Sequence, residues 1–304
     1  MSFSTILTRP KPFMILCPSC SAKHIQIENG CPKCGFEPEC ADGFLSWAPE
    51  LAKHNDGFPE DSFEGLARVE ANSFWFRARN AIVLWALHKY FPSFQSLLEV
   101  GCGTGFVLQG ISKEFPNART AGSEIYTAGL AVAARRLPSV ELLQMDARKL
   151  PYEAEFEVLA AFDVIEHILE DELVLKNFHR AVKPGGGCLI TVPQHKWLWS
   201  PVDEVACHQR RYSAMELHTK VEAAGFHIVR STSFVTLLLP LMLATRLVAR
   251  RSGQAGGSEA LTLNPVLDHT LKAIMRIEHL LIKFGVSFPI GGSRLVILKR
   301  KELI

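Results

Sequence analysis

The sequence predicts an α/β fold: a doubly wound sheet of seven strands, with a small cysteine-bearing unit ahead of it and a helical insert before its last strand. Three observations lead there. From Ser96 onward, short apolar runs alternate with stretches of helical periodicity, the pattern of strands covered by helices on both faces. Gly101-Cys-Gly103-Thr-Gly105 joins the first such strand to the first helix, where a tight backbone turn meets a helix N-terminus. Residues 1–45 hold Cys17-Pro-Ser-Cys20 and Cys31-Pro-Lys-Cys34, a segment too small to bury a core of its own.

In chain order, residues 46–65 are polar and turn-rich and read as a linker, so the main domain begins at 66 and runs to 304. The spacing of Phe74, Ala78, Ile82, Trp85 and Leu87 predicts a helix within 66–92, stopped by Pro92. Strands follow at Leu97–Val100, Ala118–Glu124, Val140–Gln144, Phe156–Phe162 and Gly187–Val192, with helices between them. Ala214–Ala224 is helical and ends at Gly225, a C-cap residue. His227–Phe234 and Arg294–Lys299 are the last strands. The insert between them, about 235–291, holds the apolar run Phe234–Thr245, a flexible Arg251–Ser258 and an amphipathic stretch from Leu271 to Phe284.

With 304 residues, 48% hydrophobic and 21% charged, wholesale disorder is excluded. Net charge is +2, which argues against a protein built around nucleic-acid electrostatics. The balance is uneven: residues 231–304 carry +6, whereas residues 1–60 and 61–230 each carry −2. No run of about 20 apolar residues exists for a membrane span, and no export signal is evident, so the expectation is a cytoplasmic protein.

The spacing around the glycines separates two cofactor classes. A dinucleotide fingerprint needs G-x-G-x-x-G, and the third position falls on Phe106 or Leu108. The sequence instead reads Glu99-Val-Gly101-Cys-Gly103-Thr-Gly105, with Glu124 at the end of the second strand, placed to accept from ribose hydroxyls. In these residues the chain resembles the class I S-adenosylmethionine-dependent methyltransferases, a Rossmann-like family. The resemblance extends through Met145-Asp146-Ala147, Phe162-Asp163-Val-Ile-Glu-His167 and Val182-Lys-Pro-Gly-Gly-Gly187, and covers about residues 75–235 and the final strand. It implies that Glu99, Gly101, Gly103 and Gly105 hold the methionine end of the cofactor. It implies further that Glu124 takes the ribose, Asp146 and Ala147 the adenine side, and that Asp163 and His167 face the cofactor. The long insert departs from the family, which usually has a short hairpin there.

C-x2-C-x10-C-x2-C is a tetrahedral zinc pattern, so Cys17, Cys20, Cys31 and Cys34 are expected to bind one structural Zn2+, with Cys40 a bystander. On the acceptor side, His195 follows the fifth strand and therefore lies near the ligand crevice. Asp203-Glu204 followed by His208-Gln-Arg210-Arg211-Tyr212 resembles a methyltransferase subgroup of bacterial envelope saccharide and lipid pathways, in which a D…H-x-RRY segment covers the active site. Trp75-Phe-Arg77-Ala-Arg79-Asn80 resembles the same subgroup's lid. His208 and His195 are the candidate general bases or acceptor ligands; Arg210, Arg211, Tyr212 and Trp75 are the candidate acceptor contacts. At least one of the two arginines is expected to pair with Asp203 or Glu204 instead. The run 234–251, with Arg246, Arg250 and Arg251, reads as a buried helix and a solvated basic turn, or as a peripheral contact with the inner membrane, arginines toward anionic lipid.

The leading reading is a methyltransferase with an unidentified small, saccharide- or lipid-linked acceptor. A zinc-ribbon ribosomal RNA methyltransferase is one alternative, opposed by the −2 net charge of residues 1–60, which hold the ribbon. A non-catalytic cofactor-binding or interaction module is another. The ribbon's protein partner is unknown.

Overall fold

A computed structural model describes residues 13–24, 30–52, 60–252 and 264–301. In chain order the elements are β1 (Ile15–Leu16), β2 (Lys23–His24), β3 (Glu39–Ala41), β4 (Phe44–Ser46), α1 (Pro49–Ala52), α2 (Glu60–Val69), α3 (Phe74–Tyr90), β5 (Ser96–Val100), α4 (Phe106–Glu114), β6 (Arg119–Glu124), α5 (Thr127–Arg136) and β7 (Glu141–Gln144). Then come β8 (Phe156–Phe162), α6 (Asp171–Ala181), β9 (Val182–Pro193), α7 (Pro201–Val205), α8 (Ala214–Ala223), β10 (Phe226–Phe234), α9 (Leu239–Ser252), α10 (Pro265–Lys283) and β11 (Ser293–Arg300).

The expected doubly wound sheet is present, but it has nine strands, in the order β10-β11-β9-β8-β5-β6-β7-β4-β3. The centre is parallel, and β11 runs antiparallel between β9 and β10, a Rossmann-like arrangement with an antiparallel edge. All five residues of β5 are buried, as a central strand covered on both faces requires. Alternate side chains serve alternate faces. Leu98, Leu159, Cys188, Ile190, Val296 and Leu298 pack with α6 and α8, while Leu97, Val158, Leu189, Leu295 and Ile297 pack with α3, α4 and α10. Cys102 and Cys188 are buried packing residues.

The two extra strands correct the expected boundaries. The limit at 45 falls inside the β3–β4 hairpin, and β4 pairs with β7 through Ser46 and Gln144. Gln144 is fully buried and sews this edge: its Oε1 accepts from Ser46 Oγ (2.7 Å) and Ala48 N–H (3.1 Å), and its Nε2 donates to the Ala48 and Ile125 carbonyls (2.9 Å each). The cysteine unit is likewise docked on the α/β body. Phe13 and Ile15 sit in the main core, Phe13 lies 4.6 Å from Phe156 ring to ring, and Leu16 N–H donates to the Pro151 carbonyl. The expected linker therefore contains the last residue of β4, α1 and the start of α2; its residues 53–59 lie outside the described residues.

The single helix expected within 66–92 is two. It breaks at 70–73, where Glu70 turns inward and Ser73 adopts extended backbone before α3. Asp268 of α10 accepts the Phe74 N–H at 2.8 Å and so caps α3 from a distant part of the chain. The insert holds α9 and α10, anchored by the buried Glu278 carboxylate, which accepts N–H groups of Val235, Thr236 and Leu237 at 2.6–2.7 Å. The expected buried helix is not what α9 forms: its Leu241, Leu247, Val248 and Arg250 are exposed, Arg250 donating to the Trp197 and Trp199 carbonyls, while Arg246 turns inward to Asp203. The segment 253–258 lies outside the described residues, and no described helix is long and apolar enough to cross a membrane.

Candidate functional site

The sheet order reverses at β5, which pairs with β6 on one side and β8 on the other. In an open α/β sheet this opens a crevice at the carboxyl ends of the strands. The glycine loop occupies that position. Gly101 has φ +68°, and an added Cβ would meet Val164 Cγ2 at 2.5 Å, so only glycine allows the loop to lie against the strand β8 exit. Gly103 has φ +51° and faces open space: a Cβ there would meet only the Phe63 ring edge, 4.0 Å away. Its N–H donates to Glu124 Oε2 (2.9 Å), while Glu124 Oε1 accepts from Ile125 and Tyr126 N–H (2.8 and 3.2 Å). Glu70 holds the far side of the loop, accepting from Thr104 Oγ1 at 2.6 Å and from Arg136 at 2.7 Å.

Glu99 is buried beneath this loop, and its Oε2 has no hydrogen-bond partner. Burial, reinforced by Glu124 and Glu70 and opposed by Arg79, pushes its carboxyl up to about 8. A buried acceptor left unmade beside an open glycine cradle fits a cationic ligand group, which a cofactor bearing an ammonium and a sulfonium supplies. Asp146 also lies at the carboxyl edge, after β7, but its carboxylate caps the 146–149 turn and is bound by Arg148 (2.9–3.0 Å). Ala147 is buried beside it. Asp163, with φ +56°, pairs with Arg79 at 2.6 Å instead of standing free.

The acceptor-side residues converge next to Asp163. Glu166 and His167 lie on a 3-10 turn, Ile165–His167, just beyond β8; His208 follows α7, beyond β9. His208 Nδ1 is 2.9 Å from Asp203 Oδ1, and the rings of His167 and His208 meet edge to face at 4.8 Å. Asp203 is fully buried. Burial would raise its carboxyl, but the His208 hydrogen bond and the charges of Arg211 and Arg246 outweigh it and hold it at about 2. An ionised Asp203 can only accept, so Nδ1 carries the hydrogen and the Nε2 lone pair points away from it. Desolvation, with His208 beside it, lowers His167 to about 4. The sequence reading placed His208 and His167 here but missed Glu166 as a separate functional residue and Asp203 as the group that orients His208.

Other expected acceptor contacts are occupied internally. Tyr212 is fully buried and donates to Asp171 Oδ2 at 2.6 Å. Arg211 is buried against Asp203 (2.6 Å), as expected for one of the pair; Arg210 pairs with Asp171 (2.6 Å). Trp75, on α3, stacks on Phe234 at the end of β10, 5.7 Å ring to ring. Arg210, Arg211 and Tyr212 are thus engaged by carboxylates of the fold itself. His195 lies on the same edge, at φ +65°, with its ring stacked on Trp197 (4.9 Å); burial, with Arg294 and Arg211 nearby, lowers its pKa.

The four cysteine sulfurs gather at the N-terminus. Cys17–Cys34 and Cys20–Cys31 are each 3.6 Å apart, too far for disulfides and close to the roughly 3.8 Å edge of a tetrahedron with Zn–S of about 2.3 Å. His24 Nε2 lies 3.2 Å from Cys31 Sγ, a neighbour the sequence reading missed; Cys40 is exposed on β3, outside the cluster.

Residues 97–186 match a family model described as a methyltransferase domain. A probable S-adenosylmethionine-dependent methyltransferase of Mycolicibacterium smegmatis is 28% identical over 173 residues, 56% of this chain and 64% of the relative. A dTDP-4-amino-2,3,4,6-tetradeoxy-D-glucose N,N-dimethyltransferase of Saccharopolyspora spinosa is 35% identical over 103 residues, 33% of this chain and 41% of the relative. The match to both relatives spans less than two thirds of their length. The solved structure of Haemonchus contortus phosphoethanolamine N-methyltransferase 2 with S-adenosyl-L-methionine superposes with TM-score 0.56, at 18% identity, over 88% of this chain and 62% of that one.

Proposed function

We propose that this protein is an S-adenosylmethionine-dependent methyltransferase acting on a small, saccharide- or lipid-linked acceptor, with one structural zinc in its N-terminal cysteine cluster. The observation that carries the reading is Glu99, buried with an unmade acceptor under the glycine loop that lies on the carboxyl edge of the sheet. Glu99 and the Gly101–Gly105 turn would hold the methionine end of the cofactor, Glu124 the ribose, and the Asp146–Ala147 turn the adenine side. The cofactor, when bound, supplies an electrophilic methyl group on a sulfonium.

The chain's own work is then positional. The glycine loop and Glu124 are tied together by the Gly103 N–H, so as one unit they would hold and orient the cofactor. Asp203 fixes the His208 tautomer, with the hydrogen on Nδ1. Cys17, Cys20, Cys31 and Cys34 would surround the zinc and leave no open position, which suits a structural role in pinning Phe13 and Ile15 to the core. The name of the Saccharopolyspora spinosa relative, which acts on a nucleotide-linked amino sugar, favours a small acceptor.

Native mass spectrometry of protein purified without chelator tests both parts. The expected result is a mass increment for zinc together with S-adenosylmethionine or S-adenosylhomocysteine. Zinc alone, with no cofactor taken up on addition, would overturn the methyltransferase reading.

A further inference from the structure

We infer that Glu166, His167 and His208 form a divalent-cation site beside the cofactor loop, separate from the cysteine cluster. One ligand atom from each of these three side chains lies within 4.8 Å of the other two, and His208 Nε2 is 4.0 Å from Glu166 Oε1. Two imidazoles and one carboxylate gathered this closely are the donor set of a three-ligand site that keeps positions open for other ligands.

Glu166 supplies the independent observation. It is fully buried, and neither carboxylate oxygen has a hydrogen-bond partner, apart from a loose approach of its own backbone N–H. The neighbouring guanidinium groups act on it only through space and do not hydrogen-bond it, because Arg211 is engaged by Asp203 and Arg79 by Asp163. A buried carboxylate without a partner is costly unless something else answers it, and a cation does. His208 is already arranged as a ligand. Its Nδ1 hydrogen is held by buried Asp203, which leaves the Nε2 lone pair on the Glu166 side and matches the carboxylate–histidine–metal relay that fixes metal-bound imidazoles. Asp203 is itself held by Arg211, Arg246 and the Ser200 N–H (2.9 Å), so the relay is rigid.

The inference rests on the methyltransferase reading for its chemistry, though not for its geometry. An acceptor oxygen reaching an open position on the cation would have its hydroxyl pKa lowered. The proton leaves to bulk water, the oxygen attacks the methyl carbon, the O–C bond forms as the S–C bond breaks, and S-adenosylhomocysteine departs. The acceptor class is thus a hydroxyl-bearing molecule, and His208 serves as ligand rather than base.

The test uses the full chain and Mn2+ alone as probe, because Mn2+ prefers oxygen and nitrogen donors and competes poorly for four thiolates. Protein dialysed free of loosely held metal is titrated and read by electron paramagnetic resonance of unbound Mn2+ and by thermal shift. One Mn2+ per chain is expected, with at least tenfold weaker binding in Glu166→Gln and in His208→Ala, each checked for fold by circular dichroism. Wild-type protein that takes up no stoichiometric Mn2+ at millimolar concentration would overturn the site, as would variants that keep wild-type affinity. Calorimetry with S-adenosylhomocysteine, run without metal, separates the two claims. Cofactor binding without Mn2+ binding removes this site alone; Mn2+ binding without cofactor binding removes the methyltransferase reading alone.

Discussion

The cofactor side and the acceptor side of the crevice are built differently. On the cofactor side, Glu99, the glycine loop and Glu124 lie within 26 consecutive residues, and the backbone does much of the work: Gly103, Ile125 and Tyr126 offer N–H groups to one carboxylate. On the acceptor side, Glu166, His167, Asp203, His208, Arg211 and Arg246 come from four separated segments, and side chains do the work. Backbone sites tolerate change in side chains but not in dihedral angles. Side-chain networks tolerate neither the loss of a charge nor the loss of its partner.

Four substitutions sharpen that contrast, from the largest effect to the smallest. Asp203→Asn removes the charge that holds His208, Arg211 and Arg246 in a buried site, and should cost about 3–5 kcal/mol in denaturant unfolding. A cost below about 1 kcal/mol would show that the acceptor side is not a coupled network. Gly103→Val should weaken S-adenosylhomocysteine binding at least 100-fold, about 2.7 kcal/mol, by filling the open space over the loop and straining a positive φ. Calorimetry reads the affinity, and an unchanged circular dichroism spectrum confirms the fold.

Glu99→Gln acts through pH. The folded carboxyl titrates near 8 and the ordinary value is 4.5, so its contribution is fully present below 4.5 and is lost as pH rises through 8. Wild type should therefore lose stability relative to Glu99→Gln across that window, by at most about 1.4 kcal/mol per pH unit, in urea melts at a series of pH values. A pH-independent difference between the two would place Glu99 in a solvated environment. Arg210→Ala should be the mildest, under about 1 kcal/mol, since Lys220 also holds Asp171 at 2.6–2.8 Å. A larger loss would mean that Arg210, and not Lys220, secures the carboxylate to which Tyr212 donates.

The same contrast explains what could be read in advance. Glu99, Gly101, Gly103, Gly105 and Glu124 were legible because a strand, a turn and a helix start must follow one another in sequence to make that cradle. The four cysteines were legible because two short knuckles bring their sulfurs together. His208 was marked by its motif, yet the role of the motif's other residues was not: Arg210, Arg211 and Tyr212 read as acceptor contacts and instead close on Asp171 and Asp203. Glu166 stood inside a quoted segment with nothing local to distinguish it. Only the fold shows that both its oxygens are buried and bare.

The sequence by itself determined the strand–helix alternation, the position of the glycine loop and the cysteine tetrad, because each depends on spacing along a few tens of residues at most. Tertiary structure alone decided the rest: the β3–β4 hairpin joining the sheet at Gln144, the break between α2 and α3 around Glu70, the inward turn of Arg246, and the meeting of Glu166 with His208. Those features depend on which polar groups are left for each other once the apolar faces have packed, and no local pattern encodes that remainder.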